Sequence, residues 1–213
     1  MSYNYDLLWQ PIEINKVTLR NRISLSPMGT HTITPVNTDS EEGIRYYEER
    51  AKGGVGLIHT GAMFLSPMLA QGSPTYDVAG LDAVNTGTQL TERVHRWGAK
   101  IFLQVSPGTG RNSRVDEGHP EQLISASPNP SFSRPDVLCR EMTIDEIKET
   151  MELFKRAGIY AQRAGFDGIQ IHGHAGYLID QFLSECWNWR NDASGGSFEN
   201  RCRFILEAVD SIR

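Results

Sequence analysis

The stretch GIQIHGHAGYLIDQF, residues 168–182, places two imidazoles one residue apart, His172 and His174, with a phenol, Tyr177, three residues beyond the second. Side chains i and i+2 of an extended segment project to the same side, so both imidazoles can meet one ligand. Three chemistries use such a pair. It can bind a metal ion if further His, Asp or Glu side chains join it, and His31 and His59 stand at the ends of other apolar runs. It can clamp a substrate oxygen on which negative charge develops, with the phenol supplying a proton. Or the two histidines are structural, bonded to neighbouring carbonyls.

Gln104 is the next informative residue, at the end of the apolar run AKIFLQV (99–105). A carboxamide offers a donor and an acceptor side by side, which suits a heterocycle carrying adjacent N–H and C=O groups, or equally loop backbone. The stretch PGTGR, ending at Arg111, is a candidate anion site, but neither a GxGxxG fingerprint nor a Walker motif is present. NWRNDASGGSFENRCRF (188–204) crowds charged residues around a Gly-Gly turn and reads as a salt-linked structural loop.

These side chains need a scaffold. Four short runs rich in Ile, Leu, Val or Phe (22–28, 54–62, 99–105 and 166–172) read as strands covered on both faces. Helical patterns alternate with them. One begins at the cap candidate Ser40 and ends at Gly53. Another carries Leu81, Val84, Leu90, Val94 and Trp97, with its second half the more helical. A third opens with the capping box Thr143/Glu146 and bears the stripe Ile144, Ile147, Met151, Phe154, Ile159 and Tyr160. The last carries Phe198, Phe204, Ile205, Leu206, Val209 and Ile212. PIEINKVTLRNRI (11–23) reads as a hairpin, and 106–142 as one long loop of the kind that carries function. The β-α-β-α-β-α-β-α order predicts parallel strands with helical crossovers, and ligands of such folds gather at the carboxyl ends of the strands. Those ends hold Pro27, Met28, Gly29, Thr30 and His31; His59, Thr60, Gly61 and Ala62; Gln104 to Arg111; and His172 to Tyr177.

Together, LRNRISLSPMGT, YYEERAKGGVGLIHTGA, FLQVSPGTGR, ISASPNPSF with REMTIDEI, and AGFDGIQIHGHAGYLIDQFLSECWNWRNDASGGSFENRCRF resemble the old yellow enzyme family of NADH:flavin oxidoreductases. The similarity is strongest to the 2-enoate reductase and 2,4-dienoyl-CoA reductase branch. The resemblance implies a TIM (β/α)8 barrel with FMN at its carboxyl-end mouth. Residues 1–213 correspond to about four βα units, the N-terminal half of that one domain, preceded by the hairpin.

It further implies that Pro27, Met28, Gly29 and Thr30 border the flavin, that Gly61 and Ala62 line its edge, and that Gln104 bonds its pyrimidine end. His172, with His174, would face flavin and substrate carbonyl, and Tyr177 would protonate the substrate α-carbon. NADH or NADPH would reduce the flavin, and the substrate would be a small activated alkene. A phenol keeps its proton at neutral pH, as that acid must. Two departures stand out. Ala175 occupies the place where many members carry His or Asn, with His174 one position earlier, and Gln104 is followed after Val105 by Ser106-Pro107-Gly108. The family's later cationic residue, its glycine-rich phosphate site, and the branch's iron–sulfur cluster and FAD module fall outside these residues. A half-barrel leaves two sheet edges open, so weak or no FMN binding by these residues alone is expected, unless two copies associate as a homo-oligomer. The competing readings are a metal-dependent TIM-barrel hydrolase built on His172, His174, His31 and His59, and a non-catalytic half-barrel.

Composition narrows the classes. A net charge of -5 leaves no basic footprint for nucleic acid, and no apolar run reaches the ~18 residues of a membrane span. Hydrophobic residues at 39% are too many for a disordered chain. No signal-peptide pattern opens the sequence, and three cysteines without CxxC spacing suit a reducing cytoplasm.

Overall fold

A computed structural model describes residues 5–30, 40–65, 81–114 and 123–213. In chain order the elements are β1 (Ile12–Ile14), β2 (Val17–Leu19), β3 (Ser24–Met28), α1 (Glu41–Lys52), β4 (Leu57–Thr60), β5 (Met63–Phe64) and α2 (Leu81–Arg96). There follow β6 (Lys100–Ser106), β7 (Ile124–Ser125), β8 (Arg140–Glu141), α3 (Ile144–Arg163), β9 (Gly168–Ile171), α4 (Leu178–Leu183) and α5 (Phe198–Ile212). β1 and β2 form the expected antiparallel hairpin, turning at Asn15, whose φ of 52° is tolerated by its short polar side chain. β3 pairs β4 and β4 pairs β6, both in parallel, and β9 pairs β6. Parallel strands separated by helices make this a partial (β/α)8 barrel.

The chain divides into two compact units. The first comprises Met1–Met63, Asp77–Gln104 and Tyr160–Gln170; the second comprises Phe64–Tyr76, Val105–Ile159 and Ile171–Arg213. In the first unit, Ile44, Tyr47 and Ala51 of α1 and Leu90 and Val94 of α2 pack with Ile58 and Ile101 into one buried cluster. Because strand side chains alternate, the opposite sheet face carries Leu57 and His59 of β4 and Lys100, Phe102 and Gln104 of β6. α1 starts as expected: the Ser40 hydroxyl accepts from the Gly43 amide at 3.2 Å. The left-handed residue after it is Gly54 (φ 106°), not Gly53.

The second unit holds the capping box. Glu146 N–H donates to the Thr143 hydroxyl at 3.2 Å, and the Thr143 amide donates to the Glu146 carboxylate at 2.8 Å. α4 and α5 meet through Phe182 and Phe204, stacked with centroids 4.2 Å apart. Arg190, 3% exposed, donates to the carbonyls of Ala126 (3.0 Å) and Met142 (2.6 Å) and to the Asp192 carboxylate (2.5 Å), so the charged 188–204 stretch is the structural clasp its composition suggested.

Several expectations need correction. β3 is not covered on both faces: Ser24, Ser26 and Met28 are exposed, since β4 is its one strand partner among the described residues. Ile159 is 43% exposed because it lies five residues, about 140° of helix, past buried Phe154. Leu206 (58%) lies two residues past Phe204 on the far side of α5. Ile144 and Phe198 are exposed at first helical positions, and Trp97, 38% exposed, follows the end of α2. α2 is helical from Leu81 onward, its first half included, although its second half read as the more helical. The 106–142 segment is not wholly irregular, since a 3-10 turn at Gly110–Asn112 and the parallel pair β7/β8 lie within it.

Candidate functional site

In the first unit the ends of β3 and β4 are held together by a helix side chain. The Tyr47 hydroxyl, reaching from α1, donates to the Met28 carbonyl at 2.9 Å and accepts from the Gly61 amide at 2.8 Å. The register of β3 against β4 shifts between Leu25 and Met28, where Pro27 has no N–H to contribute to a ladder. The backbones then approach so closely that a Cβ on Gly61 would stand 2.6 Å from the Gly29 Cα and 3.0 Å from the Met28 oxygen. Pro27, Met28, Gly29, Thr30, Gly61 and Ala62 therefore form a floor of backbone at two adjacent strand tips.

Beside it, the Gln104 amide N–H donates to the Thr60 hydroxyl at 3.0 Å, and Gln104 Nε2 donates to Gln170 Oε1 at 2.8 Å. Gln104 is 4% exposed. Gln170 escaped the sequence reading, although a polar residue within GIQI, two before His172, was the available signal. β9 comes this close to β6 because Gly168 lacks a side chain: a Cβ there would lie 2.8 Å from the Phe102 ring. His59 meets Phe102 edge-on at 5.7 Å, and burial holds it below its ordinary pKa.

In the second unit His172 and His174 do converge, but not as strand neighbours, because β9 ends at Ile171. A tight turn carries them. Ala175 (φ 65°) and Gly176 (φ 68°) are both left-handed, and the turn is tied by Gly176 N–H to Asp180 Oδ2 (2.9 Å) and Asn112 Nδ2 to the Ala175 carbonyl (3.1 Å). Its outcome is a set of stacked rings: His174 lies 4.4 Å and Tyr177 4.9 Å from the His172 ring, at interplanar angles of 28° and 23°. The His172 amide donates to the Val105 carbonyl at 2.8 Å, and its buried Nδ1 has no partner. Burial, and secondly the His174 charge, push the His172 pKa down, so its imidazole is neutral at neutral pH. Buried Gln181 braces this region: it donates to the carbonyls of Thr109 (3.1 Å) and Gly176 (2.6 Å) and accepts from the Arg111 amide (3.1 Å) and the Ser125 hydroxyl (2.9 Å).

Arg111 donates to the Pro130 carbonyl at 2.9 Å and lies over Trp187 at 4.0 Å, a packed position that does not require an anion. For the metal reading, the described residues contain no group of three or more His, Cys, Asp or Glu able to hold an ion. His31 lies outside the described residues.

The residues present fit a flat, polar-edged group such as FMN. In the first unit the Gly29/Gly61 floor admits no side chain, and Gln104 keeps an acceptor and an N–H beyond its bond to Gln170.

The chain is 41% identical to cinnamate reductase of Clostridium sporogenes, over 100% of this chain and 33% of that protein. It is 38% identical to an NADPH dehydrogenase of Halalkalibacterium halodurans, over 97% of this chain and 59% of that one. It superposes on the crystal structure of Old Yellow Enzyme from Pichia sp. with a TM-score of 0.82 at 27% identity, covering 97% of this chain and 56% of that one. The chain thus spans from about three tenths to three fifths of the length of the curated relatives it matches. With the profile of the family matching residues 7–213, the chain belongs to the NADH:flavin oxidoreductase / NADH oxidase family.

Proposed function

We propose that the protein of which these residues are part reduces the C=C bond of a small alkene conjugated to a carbonyl or carboxylate, using FMN and a nicotinamide reductant. The observation that carries this reading is the stacking of Tyr177 and His174 on His172. It gathers a proton donor and two imidazoles within six residues, as a conjugated acceptor requires. The cinnamate reductase relative favours an enoate over the other alkenes.

FMN, when bound, would supply hydride drawn from NADH or NADPH. The protein's own residues account for the rest. The backbone at Pro27, Met28, Gly29, Thr30, Gly61 and Ala62 seats the ring system, and Gln104 meets its pyrimidine edge. His172, neutral and with Nδ1 unmet, faces the substrate oxygen with His174, stabilising charge that develops there. The Tyr177 hydroxyl delivers the proton to the α-carbon. Residues 1–213 are read as the N-terminal half of one FMN-binding barrel domain. A four-cysteine iron–sulfur cluster would need sequence outside these residues, because they hold three cysteines, and an FAD module would likewise belong to such sequence. The described cysteines Cys139, Cys186 and Cys202 are free thiols, which suits a reducing cytoplasm. No helix among the described residues is long and apolar enough to cross a membrane.

Tyr177→Phe tests the reading. Flavin reduction by NAD(P)H should proceed at the wild-type rate while oxidation by an enoate slows by about 10²–10⁴-fold, the usual worth of a positioned acid. Equal alkene turnover by the variant would refute the assignment.

A further inference from the structure

Gln170 lies on a strand whose other side chains are Ile169 and Ile171, and it belongs to none of the groups assigned above. An amide in such a setting needs a reason. Its Oε1 receives the Gln104 Nε2 hydrogen at 2.8 Å, across a sequence separation of 66 residues. A carboxamide has two N–H hydrogens and one carbonyl oxygen, and turning it by 180° exchanges them. In the observed arrangement Gln104 spends one N–H on Gln170. Its carbonyl oxygen and second N–H remain, and the Gln170 NH2 adds further donors. Turning Gln104 alone would set two carbonyl oxygens against each other, so its orientation changes only if Gln170 turns too. The Gln104 main chain is independently fixed by its bond to the Thr60 hydroxyl at 3.0 Å.

We propose that Gln170 is a positioning residue that holds the Gln104 carboxamide with its oxygen free to accept from the N–H of an imide heterocycle. This rests on the FMN reading above. An imide edge presents one N–H between two carbonyls, and the Gln104 carboxamide can set its free oxygen against that N–H with its remaining N–H toward a neighbouring carbonyl. A lone Gln104 would sample both amide orientations, and in one of them an N–H would face the imide N–H.

The test compares binding of FMN and of its N3-methyl analogue, which lacks that N–H, to the full-length protein of which these residues are part, by quenching of flavin fluorescence. Wild type should prefer FMN by about tenfold, the worth of one well-made hydrogen bond. Gln170→Met, close in volume and without an acceptor for the Gln104 amide, should reduce the preference to about two- to threefold. Gln170→Glu, which accepts but cannot donate, permits only the observed orientation and should keep the wild-type preference. A merely structural role would weaken both flavins alike and leave their ratio intact. An unchanged ratio in Gln170→Met overturns the inference while leaving the FMN reading standing, as does a wild type that binds both flavins equally. If wild type binds neither flavin while remaining folded, the FMN reading fails and this inference falls with it.

Discussion

Removing one oxygen atom from α1 should loosen the tips of two strands. Tyr47 is 2% exposed, and its ring packs in the same cluster as Ile44, Leu90 and Ile101, so Tyr47→Phe preserves the core. What it removes is the hydroxyl that bridges the Met28 carbonyl (2.9 Å) and the Gly61 amide (2.8 Å). A buried polar group stripped of its partner costs about 1–3 kcal/mol. The Gly61 amide is half-buried and has little recourse, whereas Met28 is 55% exposed and water can reach its carbonyl. The sum is therefore about 2 kcal/mol rather than the full penalty twice over. At about 2–4 °C per kcal/mol for a chain of this size, the melting temperature should fall by about 4–8 °C. The Gly29/Gly61 approach depends on the same bridge, so FMN should also bind more weakly. Urea titration gives the free energy, with an unchanged slope as the sign that the unfolded state is unaffected. Tyr46→Phe, on the same helix, is the control. A loss below about 0.5 kcal/mol, the range of ordinary surface substitutions, would refute the view that this hydroxyl sets the gap.

Other perturbations follow from the geometry. Arg190→Met should destabilise by about 3–5 kcal/mol in chemical denaturation, since it strands the Ala126 and Met142 carbonyls and the Asp192 carboxylate. Glu146 is held down to about 2, chiefly by the Arg140 guanidinium and also by Thr143. A depressed carboxyl stabilises the fold above its ordinary value of 4.5 and loses that contribution as pH falls toward about 2. Because Arg140 is 40% exposed, screening limits the effect to about 1 kcal/mol, and Glu146→Gln should flatten the stability profile across that window. Burial favours neutral His172, so its contribution holds above pH 6.5 and declines below it, and His172→Asn should remove that decline from the pH dependence of unfolding.

Much of this was legible in one dimension because it is local. The Thr143/Glu146 box and the Ser40 cap satisfy helix ends within three residues, and the apolar runs that became β3, β4, β6 and β9 are continuous in the chain. The chemistry in GIQIHGHAGYLIDQF was visible for the same reason: His172, His174 and Tyr177 are neighbours in sequence. Their arrangement was not. Alternation along a strand predicted two parallel imidazoles, but the strand stops at Ile171, and left-handed backbone at Ala175 and Gly176 folds His174 and Tyr177 back onto His172.

The sequence by itself determined which residues could make strands and helices, and that two imidazoles and a phenol fall within six residues, since periodicity and residue type carry those properties. Only the tertiary structure decided that a hydroxyl on α1 joins the tips of β3 and β4, that Gly61 lies against Gly29, and that Gln170 holds Gln104. Each joins segments brought together by the packing of a parallel sheet, at separations of 14 to 66 residues for the hydrogen bonds involved, and no local pattern encodes a partner at that distance.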